Sequence, residues 1–246
     1  VQTCALPISE WREDAWKLAR MPVWNLTIDP NYSITSVPAA SDVLIQALDA
    51  VSESVALVET GPCTNIAEML KRRPDLAKKI HSMYIMGGAL YAGGNVVKDG
   101  HDGSAEWNIY NNPQSFQDVL RSGIPITLIS LDATQYTPIR QSFIDTLEQH
   151  MSKPVVRMVH EGLMTIKFLI DIGQYMFWDT LTSAVLINPS LIKTEKRKIN
   201  VVLSGPSMGR TIEDNNGFEV DVALWADRDL FEWTVLDLLL GHKCNK

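Results

Sequence analysis

Polar side chains follow three apolar stretches in the first half of this 246-residue chain. Thr60 comes directly after VALVE, Asn95 follows a pair of glycines, and Glu106 and Asn108 lie within AEWNI. Residues two apart project from one face of an extended segment, so Glu106 and Asn108 are expected to point the same way. Their oxygens can hydrogen-bond hydroxyl groups or coordinate a hard cation such as calcium. The spacing predicts an oxygen-rich wall, although a solvent-exposed face would give the same pattern.

Transitions from strand to helix must position these side chains. Val55 to Glu59 is a short apolar run, and Thr60-Gly61-Pro62 ends it before apolar residues recur at helical spacing. Ser82 to Met86 predicts a second strand, which leads into two glycines. Asn112 and Pro113 predict the N-cap and first residue of another helix. Loops at the carboxyl ends of parallel strands are where open α/β sheets bind ligands.

The rest of the chain alternates predicted helices and strands. Thr64 or Asn65 is expected to cap the helix after the first strand, and the basic cluster from Lys193 to Lys198 is expected to be a solvated turn. The remaining predicted elements are helices at residues 10–20, from 36 or 41 to 48, 140–150, 154–172, 179–188 and 228–240, a loop at 21–37, and strands at 124–131, 199–203, 210–213 and 220–225. This order predicts an α/β fold with a mostly parallel, Rossmann-like open central sheet flanked by helices, and a small antiparallel hairpin near the C-terminus.

Composition and charge argue against several function classes. With 46% hydrophobic residues the chain can bury a large core, and its length suits a single domain. A net charge of -7 and a pI near 5.2 argue against a nucleic-acid partner, because phosphate binding needs clustered Lys and Arg. Three cysteines without a CxxC pair predict neither a disulfide framework nor a zinc site, and no apolar run reaches the ~18 residues that cross a bilayer. We therefore expect no nucleic-acid or membrane partner and a cytoplasmic location.

Several short motifs occur in one order along the chain. They are TGPCTN at residues 60–65, MGG at 86–88, GN at 94–95, AEWNI at 105–109, SGIPITLISLDAT at 122–134 and FWDTLTSAVLINPSL at 177–191. Each motif alone is weakly specific. In this order and register, they resemble the inosine-uridine preferring nucleoside hydrolase family.

This resemblance implies hydrolysis of the N-glycosidic bond of ribonucleosides to ribose and free base, through an oxocarbenium-like transition state. It also implies a calcium ion that grips ribose hydroxyl groups, with the Thr60 carbonyl and the Asp179 carboxylate as ligands. The substrate-binding residues that it implies are Met86 against the ribose ring, Asn95, Glu106 and Asn108 on the ribose hydroxyl groups, and Trp178 beside the base. The partner would be a small-molecule nucleoside, and the protein is expected to be a homo-oligomer.

The chain departs from the family's pattern at the leaving group. Trp178 stands where many members have a histidine that protonates the base, and Thr180 stands in place of a proline. Gln135 likewise occupies a position that is histidine in many members. A tryptophan cannot act as a general acid, although it can stack on a nucleobase. The catalytic residues therefore stay unassigned, His101 is the histidine to test, and a noncatalytic nucleoside- or sugar-binding protein is the alternative.

The first eight residues, VQTCALPI, match what a sequencing-adaptor DNA would encode. We therefore expect residues 1–9 to be a cloning or sequencing artefact and residues 10–246 to form a single domain of this family. The family's first strand and its DxDxxxDD motif, which supplies calcium ligands and the catalytic base, are expected to be missing. On that expectation this chain binds calcium weakly or not at all and turns over little substrate.

Overall fold

Six strands form one sheet within residues 38–241, the part of the chain that this computed structural model describes. They are β1 (Val55–Glu59), β2 (Ile80–Met86), β3 (Ile126–Ile129), β4 (Ile192–Val201), β5 (Thr211–Glu213) and β6 (Phe218–Ala226). Their order across the sheet is β1-β2-β3-β6-β4-β5, in which the first four run parallel and β4 is antiparallel to both β6 and β5. The predicted α/β fold with a mostly parallel sheet is confirmed, as is the antiparallel pairing near the C-terminal end.

Helices cover both faces of this sheet. In chain order they are α1 (Ala40–Ala50), α2 (Thr64–Arg72), α3 (Trp107–Asn111), α4 (Pro113–Leu120), α5 (Leu131–Thr134), α6 (Gln141–Glu148), α7 (Pro154–Thr165), α8 (Lys167–Asp171), α9 (Trp178–Ile187) and α10 (Arg228–Leu240), with 3-10 turns at Pro74–Lys79 and Pro189–Leu191. One buried cluster joins strand side chains to α1, α2 and α4, and a second joins them to α6, α7, α9 and α10. Apolar parallel strands require such cover on both sides.

The strands divide their side chains between these two clusters with a period of two. In β3, Leu128 packs in the first cluster and Ile129 in the second. In β6, Val222 and Ala223 divide in the same way. This alternation is the ordinary consequence of pleated backbone geometry, and it fixes which loops reach each face.

Helix ends follow the local sequence signals. The Asn112 side chain accepts a hydrogen bond from Ser115 N at 3.1 Å, and Pro113 is the first residue of α4. Gly241 ends α10 with a φ of 73°, in the left-handed region that favours glycine. The predicted boundaries of these two helices are therefore confirmed at those ends.

The charged run from Lys193 to Lys198 belongs to strand β4, so the predicted turn was wrong. Its backbone pairs with β6, and Lys196 Nζ lies 3.0 Å from Glu219 and 3.8 Å from Asp221 on that neighbouring strand. Pairing across the sheet therefore overrides the weak strand propensity of a charged segment.

Two other predicted boundaries moved. The helix predicted at residues 154–172 is interrupted at Ile166, whose φ of -111° and ψ of 14° separate α7 from α8. The strand predicted at residues 124–131 is shorter, because Leu131 begins α5 and its N–H donates to the Gly88 carbonyl at 2.8 Å.

Helix α2 begins without the capping side chain that the sequence predicted. Its N-cap residue is Cys63, with no side-chain cap, and the Thr64 hydroxyl instead accepts from Asn112 Nδ2 at 2.9 Å. Neither Thr64 nor Asn65 is therefore the cap. The predicted helix at 10–20, the loop at 21–37 and the suspected artefact lie outside the described residues. Within residues 38–241, no helix is long and apolar enough to cross a membrane.

Candidate active site

A cavity of about 600 Å³ opens where β1 and β2 end. Its walls combine polar side chains with apolar and aromatic ones. The lining residues are Thr60, Met86, Asn95, Val97, Glu106, Trp107, Asn108, Gln174, Trp178 and Asp179. All seven residues that the sequence singled out for ligand or metal contact belong to this set. The structure brings them together, and their individual roles stay predictions.

The turn after β1 places Thr60 at the cavity. Glu59 Oε1 accepts a hydrogen bond from Gly61 N at 3.0 Å, which fixes the turn. Burial raises the pKa of Glu59 to about 7, although backbone N–H groups favour its carboxylate, and the nearby charge of Asp179 adds to the rise. The turn also approaches the next site segment, since Asn108 Nδ2 lies 3.5 Å from the Thr60 carbonyl oxygen.

Glu106 is the N-cap residue of α3 and is only 2% exposed. Its Oε1 accepts from Asn108 N at 2.9 Å, and its Oε2 accepts from Ile109 N and Gly88 N, each at 3.1 Å. Burial raises the pKa of Glu106 to about 7, against the effect of these three donors, and Asp179 adds to the rise. The predicted extended segment was wrong, because the carboxylate supplies acceptors for first-turn N–H groups and Asn108 is helical.

Two asparagine side chains, Asn108 and Asn95, each make a hydrogen bond near the start of α3. Asn108 Nδ2 donates to the Met86 carbonyl at 3.2 Å and lies 3.4 Å from Met86 Sδ. Asn95 Oδ1 accepts from Trp107 N at 2.8 Å. Among the described residues, neither Asn108 Oδ1 nor Asn95 Nδ2 has a hydrogen-bond partner in the protein. One acceptor and one donor therefore remain for hydroxyl groups in the cavity.

Trp178 and Asp179 begin α9 and form another part of the wall. The ring of Tyr175 packs edge-on against the Trp178 indole, with ring centroids 4.9 Å apart. Asp179 is exposed to the open space of the cavity, yet the walls around it exclude enough bulk water to raise its pKa to about 6. A helix N-terminus favours a carboxylate, so desolvation outweighs that effect here.

Three lining residues were not singled out by the sequence. Trp107 lies within the AEWNI motif, and its aromatic ring was the available signal. Val97 is 94% exposed in the loop before α3, and Gln174 lies in the loop before α9. These loops have no periodicity from which the two positions could have been found.

His101 does not line the cavity. Its Nδ1 accepts from Gly103 N at 2.9 Å, and its Nε2 lies 2.9 Å from the Met208 carbonyl. With these partners, Nδ1 is the acceptor and Nε2 is the donor of the ring. Gln135 also points elsewhere, since its Nε2 donates to the Asp132 carbonyl at 3.1 Å. Among the cavity-lining residues within the described range 38–241, none is a histidine.

The oxygen ligands available at the cavity fit part of the coordination shell of a hard cation. Thr60 and Asp179, which carry a backbone carbonyl and a carboxylate, both line the cavity. Burial is the main cause of the raised pKa values of Glu59, Glu106 and Asp179, and the charge of Asp179 adds to the rise at Glu59 and Glu106. Within residues 38–241, however, no group of three or more His, Cys, Asp or Glu side chains could hold a metal ion. The described residues therefore supply some ligands of such a shell.

Comparison with known proteins identifies related chains. The family model described as inosine-uridine preferring nucleoside hydrolase matches residues 21–232. The pyrimidine-specific ribonucleoside hydrolase RihB of Shigella sonnei is 30% identical over 210 residues, which cover 81% of this chain and 64% of that protein. RihA of Klebsiella pneumoniae, also described as pyrimidine-specific, is 32% identical over 206 residues, which cover 78% and 63%. The chain thus spans less than two-thirds of the length of these two relatives.

Solved structures share the fold. The inosine-uridine preferring nucleoside hydrolase from Bacillus anthracis matches with a TM-score of 0.78 and 28% identity, over 97% of this chain and 77% of that one. The purine-preferring ribonucleoside hydrolase from Gardnerella vaginalis matches with a TM-score of 0.75 and 27% identity, over 89% and 71%. Because the family model covers most of the sequence and the sheet and helices agree, this chain belongs to the inosine-uridine preferring nucleoside hydrolase family.

Proposed function

We propose that the protein hydrolyses the N-glycosidic bond of ribonucleosides to give ribose and the free base. The observation that carries this proposal is the mixed lining of the cavity, which combines amide and carboxyl groups with the apolar and aromatic side chains of Met86 and Trp178. A ribonucleoside combines the same two kinds of surface, since it joins a hydroxyl-rich sugar to a flat base with an apolar face.

The reaction develops positive charge on the ribose ring, so the site must orient the sugar and stabilise that charge. The free acceptor of Asn108 and the free donor of Asn95 can orient ribose hydroxyl groups. Asp179, when ionised, places negative charge at the cavity, and fixed charge of this kind stabilises a developing cation. These are binding and electrostatic roles, and the group that activates water stays unassigned.

We also propose that calcium is the cation. The Thr60 carbonyl and the Asp179 carboxylate would hold it, since both are oxygen ligands of the kind calcium prefers. The charge of Asp179 contributes to the raised pKa of Glu106, and this supports a cation, because positive charge at the cavity would offset that repulsion. When bound, calcium supplies Lewis-acid polarisation of hydroxyl groups and lowers the pKa of a coordinated water.

The base must leave without a proton from the residue before Asp179. That residue is Trp178, whose indole can stack on the base but cannot act as an acid. No histidine occurs among the described residues of the cavity wall, and this favours a second candidate function, a protein that binds nucleosides or sugars without cleaving them. The names of the relatives include both pyrimidine-specific and purine-preferring hydrolases, so we propose ribonucleosides as a class.

Assembly and location remain predictions. We propose a homo-oligomer, supported by large apolar side chains at the surface, such as Met158 at 67% and Ile172 at 62% exposure. Light scattering on the purified protein tests this directly. A cytoplasmic location is proposed on the free, buried thiol of Cys63.

Two substrates with different leaving groups test the proposed function. The base of inosine is a poor leaving group unless it is protonated. In a nitrophenyl riboside, the leaving group is nitrophenolate, which departs without being protonated. A general acid contributes about 10²–10⁴-fold to rate, so we expect cleavage of the nitrophenyl riboside to be at least about 100-fold faster. Ribose and base are measured by chromatography in calcium-containing buffer. The exposed Asp118→Asn variant of α4 serves as the control and should behave like wild type.

The outcomes separate the two candidates. The hydrolase is supported if the wild-type protein cleaves the nitrophenyl riboside and Asn108→Ala does not. Equal rates on both substrates would show that an acid operates and would refute the role given to Trp178. Bound inosine that is recovered intact, together with an intact nitrophenyl riboside, supports the binding protein. The same assay tests the expectation that this chain turns over little substrate.

A further inference from the structure

Asp132 is absent from the cavity wall but binds the loop that follows β2. Its carboxylate is buried, and Oδ2 accepts from Leu90 N at 2.8 Å while Oδ1 accepts from Tyr91 N at 2.8 Å and Ala92 N at 2.7 Å. The Ser130 hydroxyl lies 3.0 Å from Oδ2. A carboxylate offers about four acceptor positions, and backbone N–H groups occupy three of them here.

The same loop is fixed by side chains from two other segments. Thr211 Oγ1 accepts from Ala89 N at 3.0 Å and donates to the Ala89 carbonyl at 2.7 Å. Glu106 Oε2 accepts from Gly88 N at 3.1 Å. Side chains that are distant in the sequence therefore converge on one short loop, and each satisfies a different part of its backbone.

Both ends of this loop reach the cavity. Met86 precedes the loop and Asn95 follows it, and both line the wall. Asn95 in turn accepts from Trp107 N at the start of α3. A displacement of the loop would therefore move two groups that the proposed function assigns to ribose contact.

The hydrogen bonds of Asp132 differ from those of an ordinary helix cap. Aspartate at a helix start usually accepts from N–H groups of its own first turn. The three N–H groups bound here belong to the loop after β2, about 40 residues earlier in the chain. Successive backbone N–H groups form a concavity that binds anions, and the anion in this concavity is the protein's own carboxylate.

We propose that Asp132 is a positioning residue of the ribose site, which acts through the N–H groups of Leu90, Tyr91 and Ala92 to hold Met86 and Asn95 at the cavity. This inference rests on the proposed function, because it takes the ligand to be a ribonucleoside. Without the carboxylate, three partly buried N–H groups lose their acceptors and the loop loses its fixed path.

The test replaces the carboxylate by an amide of the same shape. Asp132→Asn presents an NH₂ group to backbone donors, so we expect hydrogen exchange of residues 88–95 to become at least about tenfold faster. Inosine affinity, measured by calorimetry, should fall by about tenfold, since residues that support ligand-binding groups from behind contribute about 10–100-fold. Thr211→Val removes both bonds to Ala89 and should change both readouts in the same direction.

Two controls separate positioning from general stability. Glu232→Gln alters another buried carboxylate, which pairs with Arg140 and does not line the cavity, and it should lower stability without weakening inosine binding. Thr211→Ser keeps the hydroxyl group that contacts Ala89 and should retain the wild-type affinity.

Three outcomes would overturn the inference in distinguishable ways. Unchanged exchange in residues 88–95 of Asp132→Asn would show that the carboxylate does not hold the loop. Faster exchange with wild-type inosine affinity would show that the loop does not serve the site. A wild-type protein that binds no nucleoside would refute the proposed function, and the inference would fail with it.

Discussion

Replacing Glu106 by glutamine should change how stability depends on pH. The side chain is buried, and its carboxylate accepts from Gly88 N, Asn108 N and Ile109 N. Glu106→Gln keeps the size of the side chain but removes its charge and one acceptor. An N–H group left without its acceptor costs about 1–3 kcal/mol at every pH.

The charge contributes a separate, pH-dependent amount. Burial raises the pKa of Glu106 in the folded protein from 4.5 to about 7, and each pH unit corresponds to about 1.4 kcal/mol, so ionisation costs the folded state about 3 kcal/mol. The folded state binds this proton more tightly than the unfolded chain does. The contribution of Glu106 to stability is therefore greatest below pH 4.5 and is lost as pH rises through 7. Glu59, whose pKa is also raised to about 7, acts in the same direction.

Urea unfolding at pH 5 and pH 8, followed by tryptophan fluorescence, measures both effects. We expect Glu106→Gln to be less stable than wild type by about 1–3 kcal/mol at pH 5 and equally or more stable at pH 8. The exposed Asp118→Asn variant should keep the wild-type pH dependence. A difference between Glu106→Gln and wild type that is the same at both pH values would refute the argument from burial.

Substitutions at three other positions, Trp178, Gly94 and Asp179, test further parts of the account. Trp178→His should increase inosine cleavage relative to cleavage of the nitrophenyl riboside by about tenfold or more, because it supplies an acid beside the base; an unchanged ratio would contradict that role. Trp178→Ala should weaken inosine binding by about 1–3 kcal/mol through lost stacking, while Trp178→Phe should retain much of it, as calorimetry would measure. Gly94→Ala should lower the melting temperature, because its Cβ would lie 2.3 Å from the Ala105 carbonyl oxygen; an unchanged melting temperature would show that this contact relaxes freely. Calcium should raise the melting temperature of wild type more than that of Asp179→Asn, and equal responses would remove Asp179 from the cation site.

The order of elements and the composition of the cavity could be predicted from the sequence. Strand, turn and helix signals around Thr60 and Met86 depend on neighbouring residues, so local pattern was sufficient. The family motifs then predicted that Asn95 and Asp179 belong to one site, and both residues line the cavity. Their individual chemistry stays predicted.

Long-range contacts explain what the sequence did not reveal. Glu106 and Asn108 looked like neighbours on an extended segment, yet the first turn of α3 forms around the Glu106 carboxylate. The role of Asp132 depends on N–H groups about 40 residues away, which no local pattern records. Lys193 to Lys198 became a strand because β6 lies beside it.

Binding of inosine to the wild-type protein and to Asn108→Ala, measured by calorimetry, tests the central claim most directly. The account predicts saturable binding by wild type and a loss of at least about tenfold in affinity for Asn108→Ala, because the amide contributes a hydrogen bond at the ribose. Asp118→Asn should bind as wild type does. Affinity that does not change in Asn108→Ala, or a wild-type protein that binds no inosine, would contradict a ribonucleoside site in this cavity.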